Sequence, residues 1–209
     1  NYLHVDGAVT EDTIMACGNP AEQNLSSEFV LAYAGSLWPI NGIDLILEAF
    51  SRLKEPTFRL YIAGDGMLRD NVVRAAKTDN RIMYKGMISQ EQVLEMFQSA
   101  NVLLNIRLTS QMKIPYLFPS KLLEYFATGK VVITTAIAHV EKEYGKFCYV
   151  LKNESPEALA NLIQMLHQID EDKLKATGLQ AQDYIRNNKT WVQQGKRIAN
   201  YLDAMVNKN

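Results

Sequence analysis

The stretch FPSKLLEYFATGKVVI, residues 118–133, decides the fold. It predicts a helix over residues 119–128, because Pro119 suits a first helical turn and Gly129 suits the left-handed position just past a helix end. The apolar run at residues 131–133 follows at once and predicts a buried strand. A capped helix leading directly into a buried strand is typical of a parallel sheet covered by helices.

The predicted helix places Lys121 and Glu124 on one face, since residues three apart are neighbours on a helix. Lys121 lies in the first turn, where the helix dipole disfavours a cation and a bound anion would reverse that penalty. A basic residue for a phosphate and a carboxylate one turn later for a sugar hydroxyl would suit a nucleotide-sugar. The alternative is that both side chains are ordinary solvated surface groups.

Outward from this stretch, short apolar strands alternate with amphipathic helices. The predicted strands are 30–34, 59–63, 81–85, 102–105, 131–134 and 147–150, and the predicted helices are 42–53, 67–77, 90–98, 119–128, 156–167, 171–187 and 191–206. This pattern predicts an α/β fold, a Rossmann-like doubly wound parallel sheet of about six strands with helices on both faces. Residues 1–28 are expected to be irregular, and the long loop 106–118 to be functional or mobile.

Composition narrows the classes of function. The chain has 209 residues, 47% of them hydrophobic and 22% charged, which suits one globular domain. The net charge of −1 and the lack of a basic stretch argue against nucleic acid as a partner. The two cysteines are far apart, which suggests a reducing compartment, and the three histidines are scattered, so the sequence predicts no metal cluster. The first residue is asparagine rather than methionine, so we expect a fragment.

Residues that suit a ligand site fall at the predicted carboxyl ends of the strands, where doubly wound sheets bind ligands. Glycines in these turns let a ligand approach the backbone closely, although each glycine alone is also ordinary turn chemistry. The candidates from the ends of the first four strands and from the helix before the fifth are Gly35, Ser36, Asn41, Gly64, Gly66, Arg69, Gly86, Met87, Ile88, Arg107, Lys121 and Glu124.

Residues 118–134 resemble the donor-binding signature of the group 1, or family four, retaining glycosyltransferases of the GT-B fold. The resemblance extends over about residues 29–205. It includes YAGSLWPINGIDLILEAF at 33–50, IAGDGMLRDNV at 62–72, IMYKGMIS at 82–89, ANVLLNIR at 100–107 and TWVQQGKRIANYL at 190–202. Any one of these motifs is weak, but their shared order and spacing make the match specific.

The resemblance implies a C-terminal donor domain at residues 29–209, preceded at 1–28 by a linker and a remnant of an N-terminal domain. It implies transfer of a sugar from a nucleotide diphosphate sugar with retention of configuration, in polysaccharide biosynthesis, without a metal or other cofactor. The acceptor, a glycan or a lipid-linked glycan, would bind through an N-terminal domain missing from this chain. The implied location is cytoplasmic, with possible peripheral association at the inner face of the membrane.

The resemblance also implies roles for single residues. Lys121 matches a basic residue near the diphosphate and Glu124 matches the glutamate that holds the ribose hydroxyls, and both are predicted catalytic residues. The remaining matches are Gly35 and Ser36 under the phosphates, Met87 and Ile88 beside the base, and Ser120 and Leu123 along the diphosphate and ribose.

Three positions depart from the family pattern. The family has arginine where Ser36 stands, lysine where Asn41 stands, and its first glutamate where Tyr116 stands. Other cations are expected to compensate in part: Arg69, Arg107 and Lys113. Because of this lost charge, a degenerate nucleotide-sugar-binding or scaffolding module is an alternative to the transferase. A nucleotide-sugar epimerase of similar fold is a third possibility, for which the sequence offers no acid and base.

Overall fold

The computed structural model describes residues 2–17, 27–111, 118–137 and 139–206. Its centre is one six-stranded sheet in the order β3-β2-β1-β4-β5-β6, in which every neighbouring pair is parallel. The strands are β1 (Phe29–Ala34), β2 (Phe58–Ala63), β3 (Ile82–Tyr84), β4 (Val102–Asn105), β5 (Val131–Thr135) and β6 (Tyr149–Leu151). The predicted α/β class is therefore confirmed, with the sixth strand beginning two residues later than predicted.

Helices connect the strands, as the sequence predicts. The α-helices within the described residues are α1 (Glu11–Ala16), α2 (Ile43–Arg52), α3 (Arg69–Thr78), α4 (Gln90–Gln98), α5 (Lys121–Ala127), α6 (Val140–Tyr144), α7 (Pro156–His167), α8 (Glu171–Asn188) and α9 (Trp191–Val206). The sequence does not predict α1 or α6, because segments of five or six residues are too short to show a helical period. Among these helices, none combines the length and apolar character that crossing a bilayer requires.

Two hydrophobic clusters cover the two faces of the sheet. Leu31 belongs to the cluster that includes α2 and α7, whereas its neighbour Ala32 belongs to the cluster that includes α4, α5 and α8. Successive residues of a strand point to opposite faces, so both faces of β1 are buried. This two-sided burial explains why the central strands are continuous apolar runs rather than alternating ones.

The strand order places a topological switch beside β1. The chain passes from β1 to β2 and β3 on one side, then returns to β4 on the other side of β1. Connections from β1 and β4 therefore diverge at their carboxyl ends and leave a crevice there, the usual ligand position in such sheets. Helix α5, which carries Lys121 and Glu124, begins next to this crevice.

The predicted ends of α5 are confirmed in outline. Gly129 has a φ of 71°, the left-handed conformation expected just past the helix. The amide of Leu122 donates to the carbonyl of Pro119 at 2.8 Å, so Pro119 lies in the turn before the helix, which begins at Lys121. The buried face of the helix includes Leu122 and Phe126, as the pattern predicts.

The segment before β1 is more ordered than expected. It contains α1 and a parallel bridge between Val9 and Thr190, and α1 contacts α5. Residues 18–26 of the predicted linker segment lie outside the described residues, as does the centre of the 106–118 loop with Lys113 and Tyr116.

Lys130 is a buried cation directly after the turn at Gly129. Its ammonium donates to the carbonyl of Gln98 at 2.7 Å, and burial lowers the pKa of Lys130 to about 8 from its ordinary value of 10.5. Between these two pKa values the folded chain has lost a proton that the unfolded chain still binds, so stability rises with pH there.

We therefore expect the unfolding free energy of the parent to rise relative to that of Lys130→Met as pH increases from 7.5 to 10. The expected relative change is about 2–3 kcal/mol, from the size of the pKa shift. Urea unfolding of both proteins at the two pH values measures it. An equal difference between the proteins at both pH values would show that the ammonium is solvated.

Candidate functional site

Two adjoining cavities occupy the crevice at the carboxyl ends of the strands. The first has a volume of about 510 Å³, and the second has a volume of about 250 Å³. Both are lined by Ala34, Ser36, Lys121 and Tyr125, so they form one continuous site. Together the two cavities form an elongated cleft, and an elongated cleft suits a ligand with two chemically different ends.

The first cavity has a polar floor and an apolar wall. The floor is formed by the turns after β1 and β2, with Gly35 and Gly64, and the wall by Met87, Ile88, Val93 and Phe97. Apolar and aromatic side chains with a few polar groups are usual around small molecules. The flat, largely apolar face of a nucleobase is the part of a nucleotide that would fit this wall.

Lys121 reaches from α5 to the end of β1. Its ammonium lies 3.3 Å from the carbonyl oxygen of Ala34, which also accepts a hydrogen bond from the Tyr125 hydroxyl at 3.0 Å. Burial of the ammonium lowers the pKa of Lys121, Glu124 opposes this shift, and Arg107 adds to it. A bound anion would favour the charged ammonium and reverse the shift.

Glu124 lies one turn further along α5 and lines the first cavity with Lys121. Glu124 is exposed. Burial of Cys17 raises the pKa of its thiol to about 11, and the nearby charge of Glu124 contributes to this shift. Burial of Tyr125 likewise raises the pKa of its hydroxyl, and Glu124 again contributes. A carboxylate with free oxygens beside a cation can accept hydrogen bonds from ligand hydroxyls. The predicted side-by-side placement of Lys121 and Glu124 is observed, while their roles in binding stay predictions.

The turn after β1 is held by its own side chains. The Tyr33 hydroxyl donates to the carbonyl of Ser36 at 2.8 Å, and the Asn41 amide donates to that carbonyl and to the Ser36 hydroxyl, each at 2.8 Å. Asn41 is buried, and burial raises the pKa of Tyr33 above its usual range. Ser36 and Asn41 both line the second cavity, but the Asn41 donors are already used to shape the turn.

Glycines allow the turns after β1 and β2 to pack closely against each other. A Cβ on Gly64 would lie 1.8 Å from the carbonyl oxygen of Gly35, and one on Gly66 would lie 2.8 Å from the backbone of Leu37. The amide of Leu37 also donates to the carbonyl of Asp65 at 2.8 Å. Gly64 and Gly66 are therefore required by backbone packing, which is a different reason from the predicted close approach of a ligand.

Arg107 supplies a second cation at the crevice. It follows β4 and lines the second cavity together with Ser120. Its backbone is fixed to the next strand, because its amide donates to the Thr135 hydroxyl at 3.1 Å and its carbonyl accepts from that hydroxyl at 2.7 Å. A fixed backbone at a strand end holds the guanidinium within reach of the cavity, and the role of Arg107 as a compensating charge stays a prediction.

Most of the predicted residues meet in the two cavities, and four do not. Those that line a cavity are Gly35, Ser36, Asn41, Gly64, Met87, Ile88, Arg107, Ser120, Lys121 and Glu124. Gly66, Arg69, Gly86 and Leu123 are absent from the described lining of both cavities. The structure does not bring these four residues into the lining of either cavity, and their roles in binding stay predictions.

The structure gives a physical reason why each of these four residues is absent from the cavity lining. Arg69 begins α3 and is mostly exposed, and its guanidinium lies 4.0 Å from the carboxylate of Asp65, which itself lines the first cavity. Leu123 is 2% exposed and packs in the core, because it lies on the buried side of α5. The carbonyl of Gly86 accepts a hydrogen bond from the Gly64 amide at 2.8 Å, so Gly86 holds the turn after β2 from the end of the neighbouring strand, and Gly66 packs against Leu37.

The sequence did not point to several residues that line the site. Val93 and Phe97 lie four apart on α4, a spacing that marks one helix face but does not distinguish core from cavity. Tyr33 and Tyr125 brace the end of β1 by hydroxyl bonds that no sequence pattern reports. Asp65, between Gly64 and Gly66, also lines the first cavity.

Comparison with known proteins identifies the family. Residues 28–168 match the family described as glycosyl transferases group 1, and the chain therefore belongs to that family. A search of curated proteins found no match. The predicted family and its fold are confirmed.

Solved structures share the fold at low sequence identity. HepE from Anabaena, in complex with UDP and glucose, is 16% identical with a TM-score of 0.68 over 93% of this chain and 53% of that chain. A glycosyltransferase from Rickettsia africae is 18% identical with a TM-score of 0.75 over 99% and 58%. Sucrose-phosphate synthase from Thermosynechococcus elongatus is 18% identical with a TM-score of 0.69 over 95% and 52%. This chain thus spans about half the length of the structures it matches.

Proposed function

We propose that this chain is the donor-binding domain of a glycosyltransferase and binds a nucleotide diphosphate sugar across the two cavities. The observation that carries the proposal is the placement of Lys121 and Glu124 in one cavity, beside the backbone turn at Gly35 and Ser36. A cation suits the diphosphate, a carboxylate suits the ribose hydroxyls, and a glycine turn lets the ligand approach the backbone closely. Family membership and the HepE structure with UDP and glucose support the proposal.

In this arrangement the base lies against Met87, Ile88 and Phe97, and Glu124 accepts hydrogen bonds from the ribose hydroxyls. The diphosphate lies at Lys121, where the two cavities meet, and the sugar extends into the second cavity toward Arg107 and Ser120. Negative charge grows on the diphosphate as the bond to the sugar breaks. Lys121 stabilises that charge, and partial burial strengthens the attraction.

We propose that residues 29–209 form this domain and that transfer proceeds with retention and without a metal at the donor. The acceptor, a glycan or a lipid-linked glycan, would be bound by a part of the protein outside this chain. A cytoplasmic position, peripheral to the inner face of a membrane, would bring the donor to such an acceptor. The resemblance stated above supports these assignments.

Replacing Glu124 by alanine is expected to weaken binding of a nucleoside diphosphate by about 1.5–3 kcal/mol, the range for hydrogen bonds to a charged group. Glu124→Gln should lose less, because an amide oxygen still accepts one hydrogen bond. Calorimetric titration with UDP, GDP and ADP measures the effect and identifies the base. The corresponding 2′,3′-dideoxynucleotides should bind the parent and Glu124→Ala equally if the contact is with the ribose.

Glu48→Ala is the matched control, since Glu48 is an exposed helix carboxylate on α2 that pairs only at the surface with Arg52 at 2.8 Å. It should leave affinity unchanged. A lowered melting temperature of Glu124→Ala with unchanged affinity would make Glu124 a structural residue and remove it from the site.

A binding or scaffolding module without catalysis is the second candidate. It is favoured by the Ser36–Asn41 pair, which is neutral and internally hydrogen-bonded where the family resemblance expects two cations. The two candidates differ in a simple measurement. A donor domain binds a nucleoside diphosphate more tightly than the monophosphate, whereas a module that has lost the diphosphate contact binds both equally or neither.

A further inference from the structure

We propose a zinc(II)-binding site, separate from the donor cavities, formed by His4, Asp6, His139 and Glu143. Each of these residues offers one ligand atom, and the four atoms lie within 4.8 Å of one another. Imidazole nitrogens combined with carboxylate oxygens form a donor set suited to zinc, whereas magnesium and calcium prefer oxygen alone. His4 and His139 are far apart in the chain, but their rings lie 4.4 Å apart between centroids.

In each of the two carboxylates, one oxygen contacts a lysine and the other faces a histidine. Asp6 Oδ2 lies 2.9 Å from Lys189 Nζ, while Asp6 Oδ1 lies 3.2 Å from His4 Nδ1 and also contacts His139 Nε2. Glu143 Oε1 lies 2.6 Å from Lys189 Nζ, while Glu143 Oε2 lies 3.8 Å from His139 Nε2. Lys189 thus occupies one oxygen of each carboxylate and leaves the other facing the imidazoles.

Two buried atoms of the cluster lack hydrogen bonds. The Asp6 side chain is 1% exposed, and within the described part of the chain neither Asp6 Oδ1 nor His139 Nε2 has a hydrogen-bond partner. The two atoms contact each other at ion-pair distance. Buried polar groups without partners are costly and rare. A zinc ion bonded to both atoms would satisfy them together.

Charge and the surrounding groups fit a divalent cation. Asp6, Glu143 and Lys189 sum to one negative charge when both imidazoles are neutral, as metal ligands must be. The Tyr144 hydroxyl donates to Asp6 Oδ2 at 2.5 Å and so orients the carboxylate from outside, as is usual for zinc ligands. Tetrahedral zinc needs neighbouring ligand atoms about 3.4 Å apart, which shifts of about 1 Å would provide.

The site would hold three remote segments together. His4 and Asp6 belong to the segment before α1, His139 and Glu143 to the N-cap and the body of α6, and Lys189 to the end of α8. The ring of Phe118 stacks on His139 at 5.5 Å and also lines the second donor cavity, so it stands between the two sites. Zinc there would fasten the N-terminal segment to the domain and take no part in donor chemistry.

The test is a zinc titration of the chelator-stripped chain against a chromophoric chelator of known affinity. We expect one zinc ion per chain, a raised melting temperature, and no competition from magnesium at a hundredfold excess. X-ray absorption of the zinc-loaded chain should show nitrogen and oxygen neighbours with imidazole scattering and no sulfur. A chain that takes up no zinc would overturn the proposal.

Substitutions locate the site. His4→Ala and His139→Ala should each lower zinc affinity about tenfold or more, while His167→Ala, which removes an exposed histidine outside the cluster, should leave it unchanged. His4 is largely exposed, so its variant should fold even if the His139 variant does not. Zinc affinity unchanged in His4→Ala would overturn the assignment. Nucleotide affinity should be unchanged in His4→Ala, which separates this test from that of the donor site.

Discussion

Replacing Gly64 by alanine is expected to lower the free energy of unfolding by more than about 4 kcal/mol, a loss seen only for specific structural causes. Its φ of 133° is a conformation that alanine rarely adopts. A Cβ would also lie 1.8 Å from the carbonyl oxygen of Gly35, a backbone atom that cannot turn aside. Urea unfolding followed by circular dichroism measures the loss, and nucleoside diphosphate binding should disappear with it.

Gly86→Ala is the matched control. Gly86 has a φ of 65°, but a Cβ there would meet nothing within 4 Å. Its cost should therefore be that of the left-handed conformation alone, about 1–2 kcal/mol. Equal losses for the two variants would mean that backbone strain, and not the contact between the β1 and β2 turns, explains the need for glycine at position 64.

The glycines show how far the sequence leads. Their positions after β1, β2 and β3 could be predicted, because apolar runs followed by glycine mark βα turns in a parallel sheet. The reason why glycine is needed at these positions could not be predicted, because it depends on which turns contact each other in space. Gly64 packs on Gly35 and Gly66 packs on Leu37, and these contacts join segments about thirty residues apart that the parallel pairing of β1 and β2 brings together.

Helix α5 likewise shows what the sequence can and cannot predict about the site. Spacing alone predicts that Lys121 and Glu124 share a face, and they do share a cavity. Spacing does not tell which side of a helix is covered, and Leu123, although adjacent to Glu124, is buried in the core. The nearness of Arg69 to Gly66 in sequence predicts a place in the site, but its side chain is mostly exposed and contacts Asp65 without lining either cavity.

The histidine cluster could not be predicted at all. His4 and His139 have no spacing in the sequence that resembles a metal motif, and they meet because the segment before α1 lies against α6. The bridge from Val9 to Thr190 holds that segment in place. Sites built from remote single residues leave no local pattern, whereas sites built on one helix do.

Replacing Lys121 by alanine is expected to weaken nucleoside diphosphate binding by about 3 kcal/mol or more, a change of more than a hundredfold. An ammonium between two phosphates makes at least two charge-assisted hydrogen bonds, each of about 1.5–3 kcal/mol. The loss should be smaller for the nucleoside monophosphate and near zero for the nucleoside. It should shrink in high salt, because the cleft is open and its charges are screened.

Lys54→Ala supplies the control for net charge, since Lys54 is an exposed cation after α2, at the opposite edge of the sheet from the cavities. It should leave all three affinities unchanged. Removing Lys121 should also leave the fold intact, because the Tyr125 hydroxyl still donates to the Ala34 carbonyl at 3.0 Å. If Lys121→Ala lowers the affinity for nucleoside, monophosphate and diphosphate equally, the lysine shapes the cavity instead of holding phosphate. In that case Arg107, the other cation that lines the crevice in the described structure, carries the diphosphate contact.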